Sequence, residues 1–203
     1  RDFYASNIVP MTVWASYLLD DIAGLRNNVP IMVDGNPESI ALAQDTDVIV
    51  GMAGPSNPEG ATWVEVHNFG VTVDANPDEA KAFVLYVMNE EYVTWLGMAP
   101  EGSFPIRPGP TAGSNVFIED WGNLLFGVDR KVPINSVYSQ EIIEGLINGL
   151  SVGTRWGAKE GQLPLAAKLV NSNLLNRLMM EYINGDRSAE ETVNLLNSEA
   201  SKL

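Results

Sequence analysis

The sequence predicts an α/β fold with extensive C-terminal helices. β-rich apolar segments occur almost entirely before residue 75, whereas amphipathic helical patterns dominate from residue 76 onward. A few strands followed by many helices is typical of a sheet domain with helical elaboration. With 203 residues, of which 45% are hydrophobic, the chain is long enough to bury a sizeable core.

The first part of the chain contains the predicted strands. Segment 8–19 is β-rich and leads into LLDDIAGL, which favours a helix. Segment 36–44 has a proline just inside its start and predicts one short helix. DVIVGMAGPSNPEGA predicts a short apolar strand followed by a Gly/Pro/Ser/Asn loop. The longest predicted strand runs from about Thr62 to Asp74.

Helical signals begin at Asn76, which is predicted to be an N-cap. Pro77 takes the first helical position and Glu79 the third. A second short helix, EEYVTWLG, ends at Gly97, and MAPEGSFPIRPGPTAGS predicts irregular backbone. Helical spacing predicts one buried face on the first of these helices, formed by Ala80, Phe83, Val84, Val87 and Met88.

Three further patterns predict C-terminal helices. SQEIIEGLINGL carries its apolar residues on one side. LPLAAKLVNSNLLNRLMMEYING predicts one long helix that ends at Gly185. SAEETVNLLNSEASKL opens with a capping box formed by Ser188 and Glu191.

The charge balance argues against several classes of partner. The net charge is −14, from 26 acidic and 12 basic residues. This charge disfavours nucleic acid, anionic membranes and polyanionic substrates, and it suits a neutral or cationic ligand. The adjacent acids Asp20–Asp21 and Glu119–Asp120 are predicted to be solvated, because neighbouring side chains project in different directions.

Signatures of catalysis and of cofactor binding are missing from the sequence. The chain has no cysteine, which excludes disulfides and thiol nucleophiles, and its single histidine, His67, cannot build a multi-histidine metal site. It also lacks the G-x-G-x-x-G, Walker, G-x-S-x-G and H-E-x-x-H motifs. We therefore predict no catalytic residue, no metal and no cofactor.

The start of the chain predicts that it is a piece of a longer protein. RDFYASNIVPMTVW enters a predicted strand almost at once, without a signal peptide before it. No apolar run approaches the roughly 20 residues that a membrane-spanning helix needs.

Aromatic and planar polar side chains give a weak indication of carbohydrate binding. The chain has five tryptophans and six tyrosines beside many Asn, Gln, Ser and Asp residues. Carbohydrate sites use aromatic faces against sugar C–H surfaces, while amides and carboxylates bond the hydroxyls.

Five segments occur in an informative order: PMTVWASYLL, DVIVGMAGPSNPEG, VEVHNFGVTVDANPDEAKAFVLYVMNEEYVTWLG, GSFPIRPG and INGDRSAEETVNLLNSEASKL. Their order and spacing resemble the C-terminal half of an extracellular solute-binding protein of family 1 type, which supplies sugars to an ABC importer. GTRWGAKEGQLPL is similar to an RWG segment of some carbohydrate-binding members. Two places depart from the family: Ala15-Ser16-Tyr17 replaces its GPW, and 171–173 lacks the stacking aromatic that some members have there.

The resemblance implies a type II periplasmic-binding fold whose N-terminal lobe is absent from this chain. Segments 1–68 and 116–203 would form the C-terminal lobe, and 69–115 would cross the hinge and belong with the missing lobe. It implies reversible, non-enzymatic binding of a small neutral solute, a mono- or oligosaccharide, in an interlobe cleft. The ligand would pass to an ABC transporter permease, and the full-length protein would be a periplasmic or extracellular monomer, with a lipid anchor as one option.

The resemblance also directs attention to the predicted strand 62–74. On alternation, Trp63, Glu65, His67 and Phe69 share one face, and Asn68 lies on the other. In the family such a strand borders the cleft. The alternatives are an edge strand with solvated polar side chains and a pair of Glu65 and His67 that satisfy each other locally. The ligand-binding candidates are Tyr17, Trp63, Glu65, His67, Asn68, Arg155, Trp156 and Asn173.

Each remaining candidate has a structural alternative. Tyr17 stands where the family stacks an aromatic, or it is a core tyrosine with its hydroxyl at the surface. Arg155 and Trp156 serve recognition, or Trp156 anchors its loop by packing. Asn173 bonds ligand hydroxyls or is solvated. Trp14, Trp95 and Trp121 are assigned to the core or to packing.

Two other function classes stay open on the sequence. One is a carbohydrate-active enzyme whose carboxylate pair is assembled from distant positions. The other is a scaffold or adhesion domain that binds no small molecule.

Overall fold

The computed structural model describes residues 11–27 and 37–203, and it has a mixed α/β fold. The described helices are α1 Leu18–Ile22, α2 Pro37–Asp45, α3 Pro77–Asn89, α4 Tyr92–Leu96, α5 Val116–Glu119, α6 Gln140–Gly149, α7 Leu163–Asn171, α8 Leu174–Ile183 and α9 Ala189–Ala200. The described strands are β1 Met52–Gly54, β2 Asn57–Trp63, β3 Leu125–Phe126, β4 Val132–Pro133 and β5 Gly153–Thr154.

The chain divides into two compact units. The first unit comprises Arg1–Met52 and Val66–Ser151, and the second comprises Ala53–Glu65 and Val152–Leu203. The predicted assignment of 69–115 to a missing lobe stays a prediction. None of the helices in the described ranges is both long and apolar enough to cross a bilayer.

The core of the first unit forms around α6. Ser139 caps this helix by accepting a hydrogen bond from the Ile142 amide, and Ile142, Ile143 and Leu146 are buried, which confirms the predicted apolar side. They belong to one cluster with Leu19 of α1 and with other buried residues: Ile22, Ala23, Leu25, Ala43, Trp121, Phe126, Ile134 and Tyr138.

Trp121 is packed as predicted. Its side chain is fully buried, its ring stacks on Phe104 at a centroid distance of 4.9 Å, and its Nε1–H donates to the Ser103 carbonyl. Trp95 is half-buried and lies 6.1 Å from the Tyr92 ring. The core assignment of Trp14 is wrong, because its side chain is 68% exposed.

The predicted start and end signals of α3 and α4 are confirmed. The side-chain Oδ1 of Asn76 accepts from the backbone amides of Asp78 and Glu79, Pro77 opens α3, and Gly97 is the C-cap of α4. The predicted face of α3, Pro77–Asn89, is only partly covered, and no residue of this helix is fully buried. Four residues of this face, Ala80, Val84, Val87 and Met88, are partly buried, whereas Phe83 is 59% exposed.

The prediction of a first strand over 8–19 is also wrong for those of its residues that the structure describes. Residues 11–17 form no strand, and α1 begins at Leu18; the turn before it is fixed by hydrogen bonds from the amides of Leu18 and Leu19 to Ala15 and Ser16. Residues 8–10 lie outside the described residues. The short helix predicted over 36–44 is confirmed as α2, and Asn36 likewise lies outside them.

The second unit contains a three-stranded sheet in the order β1-β2-β5. β2 pairs in parallel with β5, with Thr62 opposite Gly153 and Trp63 opposite Thr154. The predicted strand 62–74 is wrong beyond its first two residues, since β2 ends at Trp63. β5 offers only two residues for pairing, so the ladder ends with the bond from the Val64 amide to the Thr154 carbonyl. The segment predicted as a loop, NPEG, forms the start of β2 instead.

The predicted long helix up to Gly185 is two helices, α7 and α8. Asn173 between them has a left-handed backbone conformation with φ 54°, and a right-handed α-helix cannot continue through such a residue. Leu169 of α7 and Leu174 and Leu178 of α8 form a small core. The predicted capping box of α9 is confirmed: Ser188 Oγ accepts from the Glu191 amide, and Glu191 Oε2 accepts from the Ser188 amide.

Candidate functional site

A shallow pocket of about 90 Å³ lies in the second unit, where α7 meets α8. It combines one large aromatic ring, an aliphatic wall and two side-chain amides. Its lining residues are Trp156, Leu169, Val170, Asn173, Leu175 and Asn176.

The loop after β5 holds Trp156 at this pocket. The Arg155 carbonyl accepts from the Ala158 amide at 2.9 Å, and Gly157 follows Trp156 with φ 74°. A Cβ on residue 157 would lie 2.9 Å from the Gln162 carbonyl oxygen, so the tight turn requires glycine. The Trp156 side chain keeps 42% of its surface exposed, which leaves ring surface for a ligand.

The break between the two helices places the amides. Asn173 occupies the left-handed region, where asparagine is better tolerated than most residues. Asn176 lies three residues later on the same side of the chain, and its Nδ2 donates to Asn173 Oδ1 at 2.9 Å. The two amides are therefore linked to each other at the pocket wall.

The pocket is lined by neutral side chains. Each of its lining side chains is uncharged. A ligand held by such groups gains hydrogen bonds and apolar contacts and no ion pair, so its affinity would depend weakly on salt.

Of the eight predicted ligand-binding residues, the structure brings Trp156 and Asn173 together in this pocket. Arg155 is exposed and precedes Trp156 without lining the pocket. Trp63 is 60% exposed at the end of β2, and Glu65 follows it with an exposed side chain. In the ladder, Trp63 lies opposite Thr154, the residue before Arg155.

The other three predicted residues belong to the first unit. Tyr17 is 45% exposed, and its ring meets Trp14 edge-on at 6.4 Å. His67 and Asn68 are exposed on irregular backbone, and Asn68 Nδ2 donates to the Val66 carbonyl. The predicted alternation of faces does not exist here, because residues 64–72 form no strand.

An acidic cluster in the first unit was not predicted. Asp20 and Glu101 are buried, whereas Asp20 was predicted to be solvated, and that prediction is wrong. Glu119 and Asp120 are exposed, as predicted. A signal for the burial of Asp20 was available, because it sits in α1 between Leu19 and Ile22, both of which are buried.

Arg26 partly neutralises this cluster. Its Nε lies 2.5 Å from Asp20 Oδ2 and 3.9 Å from Asp21 Oδ1, and its Nη2 lies 3.9 Å from Glu101 Oε1. Burial raises the pKa of Asp20 to about 7. Because Asp20 and Glu101 have almost no exposed surface, neither can contact a substrate in this structure. Among the described residues, no group of three or more His, Cys, Asp or Glu side chains could hold a metal ion.

Comparisons with known proteins give no relative. No protein family matches the sequence, and neither a curated protein nor a solved structure matches it significantly.

Proposed function

We propose that this chain is the C-terminal part of an extracellular solute-binding protein with the type II periplasmic-binding fold. It captures a mono- or oligosaccharide and delivers it unchanged to the permease of an ABC transporter. The observation that carries the proposal is the meeting of the Trp156 ring with the amides of Asn173 and Asn176 in one uncharged pocket.

The pocket chemistry fits a sugar. One face of a sugar ring presents C–H groups, which pack against an aromatic or aliphatic surface. The rim of the ring presents hydroxyls, which both donate and accept hydrogen bonds as side-chain amides do. Trp156, Leu169 and Val170 supply the first kind of contact, and the two asparagines supply the second.

The size of the pocket supports a larger, shared site. Pockets that enclose a small molecule have volumes of roughly 300–1,000 Å³, whereas this one has about 90 Å³. It therefore accommodates one edge of a ligand. In the proposed mechanism a second lobe closes over the remainder, as hinged binding proteins do.

The exposed surface of α3 supports a missing lobe. Phe83 and Tyr86 of α3, together with Met98 just after α4, are each more than half exposed within the described chain. Soluble proteins rarely leave large contiguous apolar patches uncovered unless another surface packs there. The proposal assigns segment 69–115 to that contact.

The buried acids do not favour the enzyme alternative. A glycosidase needs two carboxyl groups that reach the glycosidic bond. Asp20 and Glu101 are inaccessible, and the single guanidinium of Arg26 lies between them.

A thermal-shift screen tests the proposed function. The chain is heated with glucose, galactose, mannose, ribose, maltose or cellobiose, each at high excess. A sugar that binds only the folded state must raise the midpoint. The rise should be small, because this chain supplies one side of the proposed cleft, and Trp156→Ala should reduce it. Chromatography of the sugar after long incubation should show it unchanged. Hydrolysis or transfer products, or no shift with any sugar, would contradict the proposal.

A further inference from the structure

We infer that Asn173 and Asn176 act as one preorganised amide pair that selects two adjacent hydroxyls of a neutral ligand, a vicinal diol. The inference rests on the proposed function in part, since it names the ligand class of the same pocket. It adds Asn176, which the sequence patterns did not identify, as a specificity-determining residue.

The hydrogen bond between the two side-chain amides determines which donors and acceptors each of them has free for a ligand. A primary amide offers two N–H donors and one carbonyl acceptor. The bond from Asn176 Nδ2 to Asn173 Oδ1 uses one donor of Asn176 and one of the two lone pairs of Asn173 Oδ1. Within the described residues, Asn173 therefore keeps both donors and one lone pair of its Oδ1, and Asn176 keeps one donor and its carbonyl acceptor.

The backbone holds this pair in place. The backbone N–H of Asn173 donates to the backbone carbonyl of Val170 at 3.1 Å. The backbone carbonyl of Asn173 accepts from the backbone N–H of Arg177 at 3.1 Å. Leu174 and Leu178 are buried beneath the start of α8. The pair thus sits on an anchored junction, which lowers the entropy lost when a ligand binds.

The remaining groups are complementary to a diol. One ligand hydroxyl accepts from Asn173, and its neighbour donates to the Asn176 carbonyl. A carboxylate offers no donor for Asn176, and an ammonium group offers no acceptor for Asn173. The uncharged lining would also leave either ion without a partner. The ring that carries the hydroxyls packs its C–H face against Trp156 and Leu175.

NMR titration with minimal probes tests this inference. The ¹⁵N-labelled chain is titrated with trans-1,2-cyclohexanediol, and cyclohexanol serves as the probe that lacks one hydroxyl. The side-chain amide signals of Asn173 and Asn176 and the indole signal of Trp156 should shift with the diol and saturate. Cyclohexanol should bind about three- to tenfold more weakly, because one neutral hydrogen bond is lost.

Variants separate the amide pair from general effects. Asn173→Gly removes the amide but keeps the left-handed backbone, and Asn176→Ala keeps the helix. Each should weaken diol binding about three- to tenfold. The double variant should lose less than the product of the two losses, since each amide orients the other. Asn171→Ala alters an exposed asparagine that does not line the pocket, and it should bind normally.

The outcomes distinguish this inference from the proposed function. Equal affinity for diol and cyclohexanol, normal affinity in both asparagine variants, or no shift with the diol would overturn the inference. If a sugar of the thermal screen binds while both variants retain full affinity for it, the amide pair fails and the proposed function stands. If the diol binds through the pair but no sugar binds, the inference stands and the proposed function fails.

Discussion

The Arg26 guanidinium donates a 2.5 Å hydrogen bond to Asp20 Oδ2, while Asp20 Oδ1 finds no partner among the described residues. Asp21 and Glu101 approach the same guanidinium at 3.9 Å. Three acidic side chains thus share one guanidinium. The buried Tyr138 hydroxyl donates to the Leu19 carbonyl, and Tyr138 interacts electrostatically with Asp20. Burial and the neighbouring acids favour protonated Asp20, with a pKa of about 7.

The stability of the chain should therefore fall as pH rises from about 5 to about 8. An aspartate in the unfolded chain has a pKa of about 3.9. Between that value and the folded pKa of about 7, the folded state binds more protons, so the free energy of unfolding decreases as pH increases. We expect a loss on the order of 1–3 kcal/mol, measured by urea denaturation across this range.

Asp20→Asn is the matched control for the pH effect. It keeps the shape of the side chain and removes the titrating group, so its unfolding free energy should change much less over the same range. A wild-type stability that rises toward higher pH, or an equal slope in Asp20→Asn, would contradict the assignment to Asp20.

Tyr138→Phe should destabilise the first unit modestly. The Tyr138 hydroxyl donates a buried hydrogen bond of 2.6 Å to the Leu19 carbonyl, which also accepts from the Ala23 amide. Because that carbonyl keeps one partner, the expected loss is about 0.5–1.5 kcal/mol. Chemical denaturation of Tyr138→Phe beside wild type measures it, and an unchanged midpoint would show that the bond contributes nothing.

The left-handed conformation at Asn173 should limit substitution there. Asn173→Gly fits that backbone, whereas Asn173→Val forces a β-branched side chain into it at a cost of about 1–2 kcal/mol. Thermal denaturation of the two variants should therefore rank valine well below glycine. Equal midpoints would mean that α7 and α8 join in another way.

Truncation of two phenylalanines should change the free energy of unfolding by very different amounts. Phe126 is fully buried in the first unit, so Phe126→Ala should cost about 3–5 kcal/mol. Phe83 is exposed on α3, so Phe83→Ala should change the stability of this chain by about 0.5 kcal/mol or less. A large loss from Phe83→Ala in urea denaturation would show that its side chain is covered.

The sequence predicts those features that depend on local hydrogen bonds and on one-sided apolar spacing. Asn76 and Ser188 cap α3 and α9 because their side chains bond amides two or three residues later. The helix α6 could be predicted from the spacing of its apolar residues, since its buried residues lie on one face over consecutive turns.

Features set by distant partners could not be predicted in this way. The length of β2 depends on how many residues β5 offers, and alternation in 62–74 carries no information about that limit. The burial of Asp20 accompanies the packing of α1 into the core, and Asp20 shares the Arg26 guanidinium with Glu101, which is far away in the sequence. The predicted face of α3 is apolar in sequence, yet the described chain covers it only partly.

The candidate site was predicted in part. Trp156 and Asn173 were candidates and lie together, although the sequence places them 17 positions apart. Asn176 was missed, but its position three residues after Asn173 was an available signal, since residues at that spacing share a helix face. Tyr17, Trp63, Glu65, His67, Asn68 and Arg155 were named for their expected relation to a cleft, and that relation stays a prediction.

Calorimetric titration of wild type and Trp156→Ala with the sugar that gives the largest thermal shift is the most direct test of sugar capture by this pocket. Wild type should bind weakly but in a saturable manner, because this chain supplies one side of the proposed cleft, and the affinity should depend little on salt. Trp156→Ala should bind about 1–3 kcal/mol more weakly, a range taken from the stacking of bases on aromatic side chains. Its thermal midpoint without sugar should stay close to that of wild type. Equal affinity in the two proteins, or no binding heat from any sugar of the panel, would contradict the account.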